Sequence, residues 1–97
     1  MARRRPPMRV RVRASAVWSH MARLNVSQNA FARVVGTSPS YLSEVINGVK
    51  YPRAQFRRRL LEALPGATFD DLFIVEHRDA TGEYVAETGF LASNTHF

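Results

Sequence analysis

The chain of 97 residues is 45% hydrophobic and 23% charged, a composition typical of one soluble globular domain. No stretch approaches the ~18 uninterrupted apolar residues of a membrane-spanning helix. The absence of cysteine excludes a disulfide framework and thiolate chemistry, and it suits an intracellular protein.

Charge divides the chain into two unequal parts. Residues 1–60 hold thirteen of the fourteen Lys and Arg residues and one acid, Glu44, whereas residues 61–97 hold seven acids and Arg78. The two parts therefore carry net charges of +12 and −6. This asymmetry indicates a polyanionic partner for the basic part, and the alternative is a basic face that only water solvates.

The first elements along the chain are an arm and a strand. Residues 1–7 combine arginine with proline, which disfavours helix, so they are predicted to form a flexible basic arm. Residues 8–13 alternate apolar and charged residues with the two-residue period of a half-buried strand.

From Ser15 the apolar period becomes that of a helix. Val17, Met21 and Leu24 fall on one stripe of this helix, and Trp18 lies beside it. We expect Trp18 to anchor the core rather than to stack on a ligand.

Residues 27–48 have the pattern of two short helices separated by a turn. Ser27 can cap the first helix, and Gly36 can end it in the left-handed conformation that glycine adopts at low cost. Ser38 can cap the second helix, with Pro39 in its first turn. The residues expected to face inward are Phe31, Val34, Val35, Leu42, Val45 and Ile46. Two helices joined by a glycine-containing turn of about three residues form a helix-turn-helix.

The stretch from residue 28 to residue 48 resembles the helix-turn-helix of the phage repressor and Cro proteins and of the wider xenobiotic-response-element (XRE) family. The small Ala32 lies where the two helices must cross, and Gly36 lies at the turn. The Asn-Gly ending at 47–48 is followed by a basic-plus-proline tail at 50–53, as is frequent in the family. Thr37 departs from the pattern, because the family usually has an apolar residue there.

The fold that this resemblance implies is mostly α with a small β element. It has a five-helix repressor-like helix-turn-helix core, an N-terminal strand and a C-terminal β-hairpin, as in Cro. We expect a single domain over residues 8–97, with the helical core at 15–73 and the hairpin and tail at 73–97. The fourth helix would cover residues 53–64, and the fifth would begin at Thr68, since Asp70 and Asp71 favour a helix N-terminus.

The predicted hairpin consists of strands at 73–77 and 83–88, both rich in strand-forming residues. Residues 79–82 can form a type I turn with glycine in a bulge. A lone hairpin is unstable in water, so the strand at 8–13 is the expected third member. In Cro-type proteins the last strands also pair two subunits. The apolar residues of the tail, Phe90, Leu91 and Phe97, have two open roles: docking on a partner or sealing their own core.

The sequence lacks catalytic and metal-binding patterns. The three histidines, His20, His77 and His96, lie far apart without metal-ligand spacing. Asp70 and Asp71 are adjacent, so in a helix they point in different directions and make a poor acid/base pair. We therefore predict no catalytic residue, no metal site, no cofactor and no enzymatic activity.

The resemblance also implies which residues read DNA bases. In the family the second helix of the motif enters the major groove N-terminus first, where each base pair shows a distinct pattern of donors and acceptors. The residues at base-facing positions are Ser38, Pro39, Ser40, Tyr41, Ser43 and Glu44. For Glu44 two roles stay open: accepting a hydrogen bond from a cytosine amino group, or pairing with Arg33 or Lys50.

Phosphate contacts flank this helix in the family. Gln28 matches the family's phosphate-clamping glutamine at a helix N-terminus. The residues that follow the reading helix, where the family contacts phosphate again, are Asn47, Lys50, Tyr51 and Arg53. Residues 57–59 could extend this track, although three consecutive arginines cannot all face one way. Arg3, Arg4 and Arg5 resemble the arms that some relatives wrap into an adjacent groove, and the alternative is a disordered solubilising tail.

The predicted function is therefore that of a sequence-specific transcription regulator, a repressor, that binds double-stranded DNA. It would act as a homodimer on a pseudo-palindromic operator, in the cytoplasm at the nucleoid, without a membrane partner. Two alternatives stay open. One is an antitoxin-type module that also binds a toxin or other protein partner, and the other is a basic protein that associates non-specifically with nucleic acid.

Overall fold

The structure is a computed structural model that describes residues 7–87. Within that range the chain forms five helices between an N-terminal strand and a C-terminal hairpin, which confirms the predicted fold class. The strands are β1 (Met8–Val12), β2 (Phe73–Arg78) and β3 (Tyr84–Ala86). The helices are α1 (Ala14–Leu24), α2 (Gln28–Val35), α3 (Pro39–Ile46), α4 (Ala54–Ala63) and α5 (Phe69–Leu72). No helix of this part of the chain is long and apolar enough to cross a membrane.

The three described strands form one antiparallel sheet in the order β1-β2-β3. The pairing of β1 with β2 runs from Met8 opposite His77 to Val12 opposite Phe73, so the N-terminal strand is the third member of the sheet, as predicted. β1 ends at Val12 because the next residue, Arg13, begins the turn into α1. The Arg13 N–H donates to the Leu72 carbonyl at 2.7 Å, which holds this corner.

Alternation along the strands gives the sheet two different faces. Val12 and Phe73 lie on one face and are buried in the core. Farther along the same face lie Met8, Val10, Val75 and Val85, which we call the outer apolar face. His77 lies among them, opposite Met8 and Val85, with its Nε2 3.1 Å from the Glu87 carboxylate. Met8 and Val85 are half-exposed there, at 50% and 48%. The opposite face carries Arg9, Arg11, Glu76 and Tyr84.

A single hydrophobic core joins every helix to the sheet. It consists of buried residues from the five helices, from β1 and β2, and from the C-terminal end of α4: Val12, Val17, Met21, Phe31, Ala32, Val35, Leu42, Val45, Ile46, Phe56, Leu60, Leu64, Leu72 and Phe73. Burial of this apolar surface is the main favourable contribution to folding. Each predicted inward residue of α3 is among them.

Three apolar residues are more exposed than the sequence predicted. Trp18 is 36% exposed and does not anchor the core, and Leu24 and Val34 are 41% and 65% exposed. Trp18 follows the buried Val17, and one step along a helix turns a side chain by about 100°, away from the packed stripe. Leu24 is the last residue of α1, so the core no longer covers it. Val34 lies on α2 next to the surface that packs against α3 and α4, but outside that surface.

Local hydrogen bonds fix the helix ends and the hairpin turn. Thr68 and Asp71 form a reciprocal capping box, in which the Thr68 N–H and hydroxyl hold the pKa of the Asp71 carboxyl below its ordinary value. At the hairpin, the Asp79 carboxylate accepts from the Thr81 hydroxyl and from the N–H groups of Thr81 and Glu83, and these bonds lower its pKa. The Gly82 N–H donates to the Asp79 carbonyl at 3.0 Å.

Candidate nucleic-acid interface

The helix-turn-helix forms because both of its helices are capped by their own residues. The Ser27 hydroxyl accepts from the Ala30 N–H and the Ser38 hydroxyl from the Tyr41 N–H, each at 3.1 Å. Between them Gly36 ends α2 with φ at +85°, and its N–H donates to the Ala32 carbonyl at 2.9 Å. Ala32 is fully buried in the core, where the close packing of α2 against α3 requires a small side chain.

Burial of one side of α3 turns the other side outward. Leu42, Val45 and Ile46 are buried, and the six residues predicted to read bases lie on the remaining surface. Ser38, Pro39 and Ser40 at the N-terminus are exposed. Tyr41, Ser43 and Glu44 are partly buried. The structure thus brings all six predicted residues to one exposed end and flank of a single helix.

Tyr41 is the most constrained of these residues. Its ring packs edge-on against Phe56 of α4, with the centroids 5.5 Å apart and the ring planes at 82°. The Lys50 ammonium lies 5.8 Å from the centroid of the same ring. These contacts hold Tyr41 against the protein, which favours a backbone contact over a base contact for its hydroxyl.

Pairs of side chains on α3 and in the following loop satisfy one another. The Asn47 amide donates to the Ser43 hydroxyl at 3.2 Å. The Lys50 ammonium lies 3.4 Å from the Glu44 carboxylate, so of the two partners foreseen for Glu44 the structure shows Lys50. Both side chains of this ion pair are about half-exposed, and ion pairs of that kind contribute little and exchange readily.

An open cleft lies beside the C-terminal end of α3. It is lined by Tyr41, Val49, Lys50, Tyr51 and Arg53, and so includes three of the residues expected to contact phosphate. The chain returns toward α3 here, since the N–H groups of Val49 and Lys50 both donate to the Glu44 carbonyl. Two cations and two aromatic rings around an open cleft suit a phosphate group and the sugar beside it.

The other residues predicted to contact phosphate do not lie together in the structure. Gln28 is the first residue of α2, directly after its cap, and is partly exposed. The three arginines at 57–59 diverge: Arg57 donates to the Pro52 carbonyl at 2.7 Å, Arg59 lies against Gly36, and Arg58 is exposed. Arg3, Arg4 and Arg5 lie outside the described residues.

Sequence reasoning missed a charged cluster on the sheet. Arg9 and Arg11 donate to the two carboxylate oxygens of Glu76 at 2.7 and 2.9 Å, although Glu76 belongs to the acidic part of the chain. Glu76 is only 7% exposed. Burial alone would raise its pKa, but the hydrogen bonds and charges of the two arginines outweigh burial and lower the pKa. The alternating pattern of β1 indicated that Arg9 and Arg11 share one face of a strand. Finding Glu76 as their partner required the register of β1 against β2.

The same cluster reaches the cleft through aromatic rings. The Arg9 guanidinium lies 4.3 Å from the centroid of the Tyr51 ring and 3.9 Å from that of Tyr84. Two of the positive charges counted in the basic part are therefore committed to contacts within the protein. Between residues 7 and 87, no three His, Cys, Asp or Glu side chains are grouped so that they could hold a metal ion.

Comparison with known proteins bears on the same region. The family model described as helix-turn-helix matches residues 21–72, more than half of the chain and all of α2, α3 and α4. Neither curated proteins nor solved structures gave a match. The chain therefore belongs to the XRE-type helix-turn-helix family of DNA-binding transcription regulators.

Proposed function

We propose that the protein is a repressor that recognises a specific double-stranded DNA site by placing α3 in the major groove. The observation that carries this proposal is the exposed flank of α3 with six predicted reading residues, next to a cleft lined by two cations. An α-helix fits the major groove, and phosphate contacts beside it fix the depth and angle of its entry. A protein bound in this way represses by occupying the site.

Direct reading of bases would come from a small set of side chains. Ser40 and Ser43 are short hydroxyls that can donate or accept, and Pro39 offers no hydrogen bond to a base. Glu44 can accept from a cytosine amino group once Lys50 has left it for a phosphate. Because these groups discriminate weakly, phosphate contacts from Gln28 and the cleft would supply most of the affinity.

We propose further that the active species is a homodimer. One helix reads only a few base pairs, too few to select a site among the many competitors of a genome. A two-fold pair doubles the contacts and requires half-sites about one helical turn, ~34 Å, apart. The outer apolar face supports this proposal, because Val10 packs against the core while Met8 and Val85, farther along the same face, are half-exposed. We assign this surface to the second copy of the chain.

Selection of bound sequences from a pool of random duplexes tests the function. We expect an enriched pseudo-palindromic motif that the purified protein binds without a further component. The location that we propose for this function is the cytoplasm. Equal recovery of all sequences would indicate the non-specific basic protein instead. A tight stoichiometric partner that co-purifies and releases DNA on binding would indicate the antitoxin-type module.

A further inference from the structure

We propose that Arg9 is a positioning residue for DNA binding, which holds the loop after α3 in its phosphate-contacting conformation by stacking between Tyr51 and Tyr84. This inference rests on the proposed function, because it requires that the loop at 47–53 contacts DNA. It adds a residue that lies on the sheet, outside the helix-turn-helix, to the determinants of affinity.

Arg9 brings together three separate parts of the chain. Its Nε donates to Glu76 of β2, and its guanidinium lies close to the Tyr84 ring of β3 and the Tyr51 ring of the loop. A guanidinium is planar and stacks on aromatic rings through its faces, while its edge donates hydrogen bonds. The geometry at Arg9 uses both properties at once, with the carboxylate on the edge and two rings within stacking distance.

These contacts make Arg9 unsuited to binding phosphate itself. Its charge is met by the Glu76 carboxylate at 2.7 Å, and that carboxylate is buried, with its other oxygen 2.9 Å from Arg11. Moving Arg9 toward DNA would leave the Glu76 oxygen without this partner, which is costly for a buried acid. Arg9 therefore acts on DNA binding through the loop and not through direct contact.

The loop benefits from being held, because it has no helix or strand of its own. Residues 47–53 join α3 to α4 without regular secondary structure, and Tyr51 lies between the two cations of the cleft, Lys50 and Arg53. On one side Arg57 of α4 donates to the Pro52 carbonyl, and on the other side Arg9 stacks on Tyr51. A loop fixed before binding loses less conformational entropy when it contacts phosphate.

Arg11 provides a matched control for the test. It lies on the same strand and the same face, and it donates to the other oxygen of Glu76 at 2.9 Å. The contacts with the Tyr51 and Tyr84 rings described above are those of the Arg9 guanidinium. Arg9→Gln and Arg11→Gln each remove one ion pair with Glu76, and Arg9→Gln also removes the contacts of Arg9 with the Tyr51 and Tyr84 rings.

The experiment measures the affinity of each full-length variant for the duplex that the wild-type protein selects, as a function of salt, with thermal unfolding as a check on folding. We expect Arg9→Gln to bind about five- to tenfold more weakly than Arg11→Gln, a loss consistent with one or two cation–π contacts. The slope of log affinity against log salt should stay that of the wild type, because no phosphate contact is lost. Arg9→Lys should recover little, since an ammonium cannot stack as a guanidinium does.

A double-mutant cycle separates positioning from a general structural role. If Arg9 acts through Tyr51, Tyr51→Leu and Arg9→Gln together should weaken binding no more than the stronger single change. Three results would overturn the inference while leaving the proposed function intact. The first is a double variant whose loss of affinity is the product of the two single losses. The others are a salt slope reduced by about 0.9 in Arg9→Gln and equal affinities of Arg9→Gln and Arg11→Gln. Failure of the wild type to bind any duplex would overturn both.

Discussion

Glu76 carries a buried negative charge between two arginines, and its ionisation affects how firmly β1 is held to β2. Both ion pairs cross between these strands, and the carboxylate is the acceptor in each. A carboxylate with two strong donors is stabilised in its charged form, which is why the pKa falls although the group is buried. These two ion pairs therefore help to hold the N-terminal strand against the rest of the sheet.

We expect Glu76→Gln to lower the free energy of unfolding by ~1–3 kcal/mol at pH 7, because it removes two charge-assisted hydrogen bonds. The folded pKa lies below the ordinary value of 4.5, so the stabilisation is complete above that pH and is lost as the pH falls through the folded pKa. Thermal unfolding of both proteins from pH 7 to pH 3 checks this: the difference should shrink below pH 4.5. A difference that stays constant down to pH 3 would contradict the assignment.

We expect the side chains proposed to contact DNA to divide into those that determine the preferred sequence and those that only position the protein on the duplex. We expect Ser40→Ala and Glu44→Ala to change the preferred sequence, and Gln28→Ala and Lys50→Ala to weaken binding to all sequences alike. Lys50→Ala should also reduce the salt slope by about 0.9. Repeated selection from random duplexes measures the preference. An unchanged motif with Glu44→Ala, together with an altered one with Gln28→Ala, would reverse these roles.

At the scale of the element, the helix-turn-helix could be predicted because its determinants are local. The caps at Ser27 and Ser38 and the glycine at 36 each act within a few residues, and all three are confirmed. Burial on the flanks of the helices was less predictable, since it depends on which neighbours cover them. Trp18 and Val34 are apolar and next to buried positions, yet no neighbouring element covers them fully.

In the sheet, too, the contacts of polar residues were harder to predict from the sequence than the strands themselves. The alternation of Arg9 and Arg11 indicated a strand, and the structure confirms its pairing with β2. The partner of those arginines, Glu76, is more than sixty residues away along the chain. Because register decides which side chains oppose each other, the cluster and its contact with Tyr51 could not be derived from periodicity alone. The predicted contacts with DNA stay predictions.

The turn of the motif offers a direct test at this scale. Gly36 has φ at +85° and Gly48 has φ at +82°, a region that costs an L-residue roughly 1–2 kcal/mol. A Cβ at Gly36 would lie 3.0 Å from Arg59 Nη1, whereas a Cβ at Gly48 meets nothing within 4 Å. Since the end of Arg59 can move aside, we expect Gly36→Ala and Gly48→Ala to destabilise the protein similarly in urea unfolding. Full tolerance of Gly36→Ala would contradict the left-handed turn.

At the scale of the whole molecule, the cations of the cleft and the half-exposed apolar residues of the sheet lie on different elements. The cleft after α3 holds the two cations, Lys50 and Arg53, that we propose contact DNA, whereas Met8 and Val85 are half-exposed on the outer apolar face. Phe90, Leu91 and Phe97 belong to a segment outside the described residues, and this segment is the second candidate to cover the outer apolar face. The two occupants can be separated by experiment.

We expect Val85→Lys to convert the proposed dimer into a monomer, because it places a charge on the half-exposed outer apolar face. Ala80→Lys is the control, since it adds the same charge to the exposed turn of the same hairpin. Light scattering measures the mass of each variant, and a chain truncated after Glu87 completes the set. A dimer that survives Val85→Lys and disappears on truncation would assign the pairing to the tail.

The proposed function requires that α3 distinguishes one DNA sequence from others. The most direct measurement is the ratio of affinities for the selected duplex and for a scrambled duplex of the same composition, at physiological salt. We expect a ratio of about 10³ or more, as is typical of specific regulators. A ratio near one would contradict sequence recognition by α3, because the basic surface would then bind phosphate without reading bases.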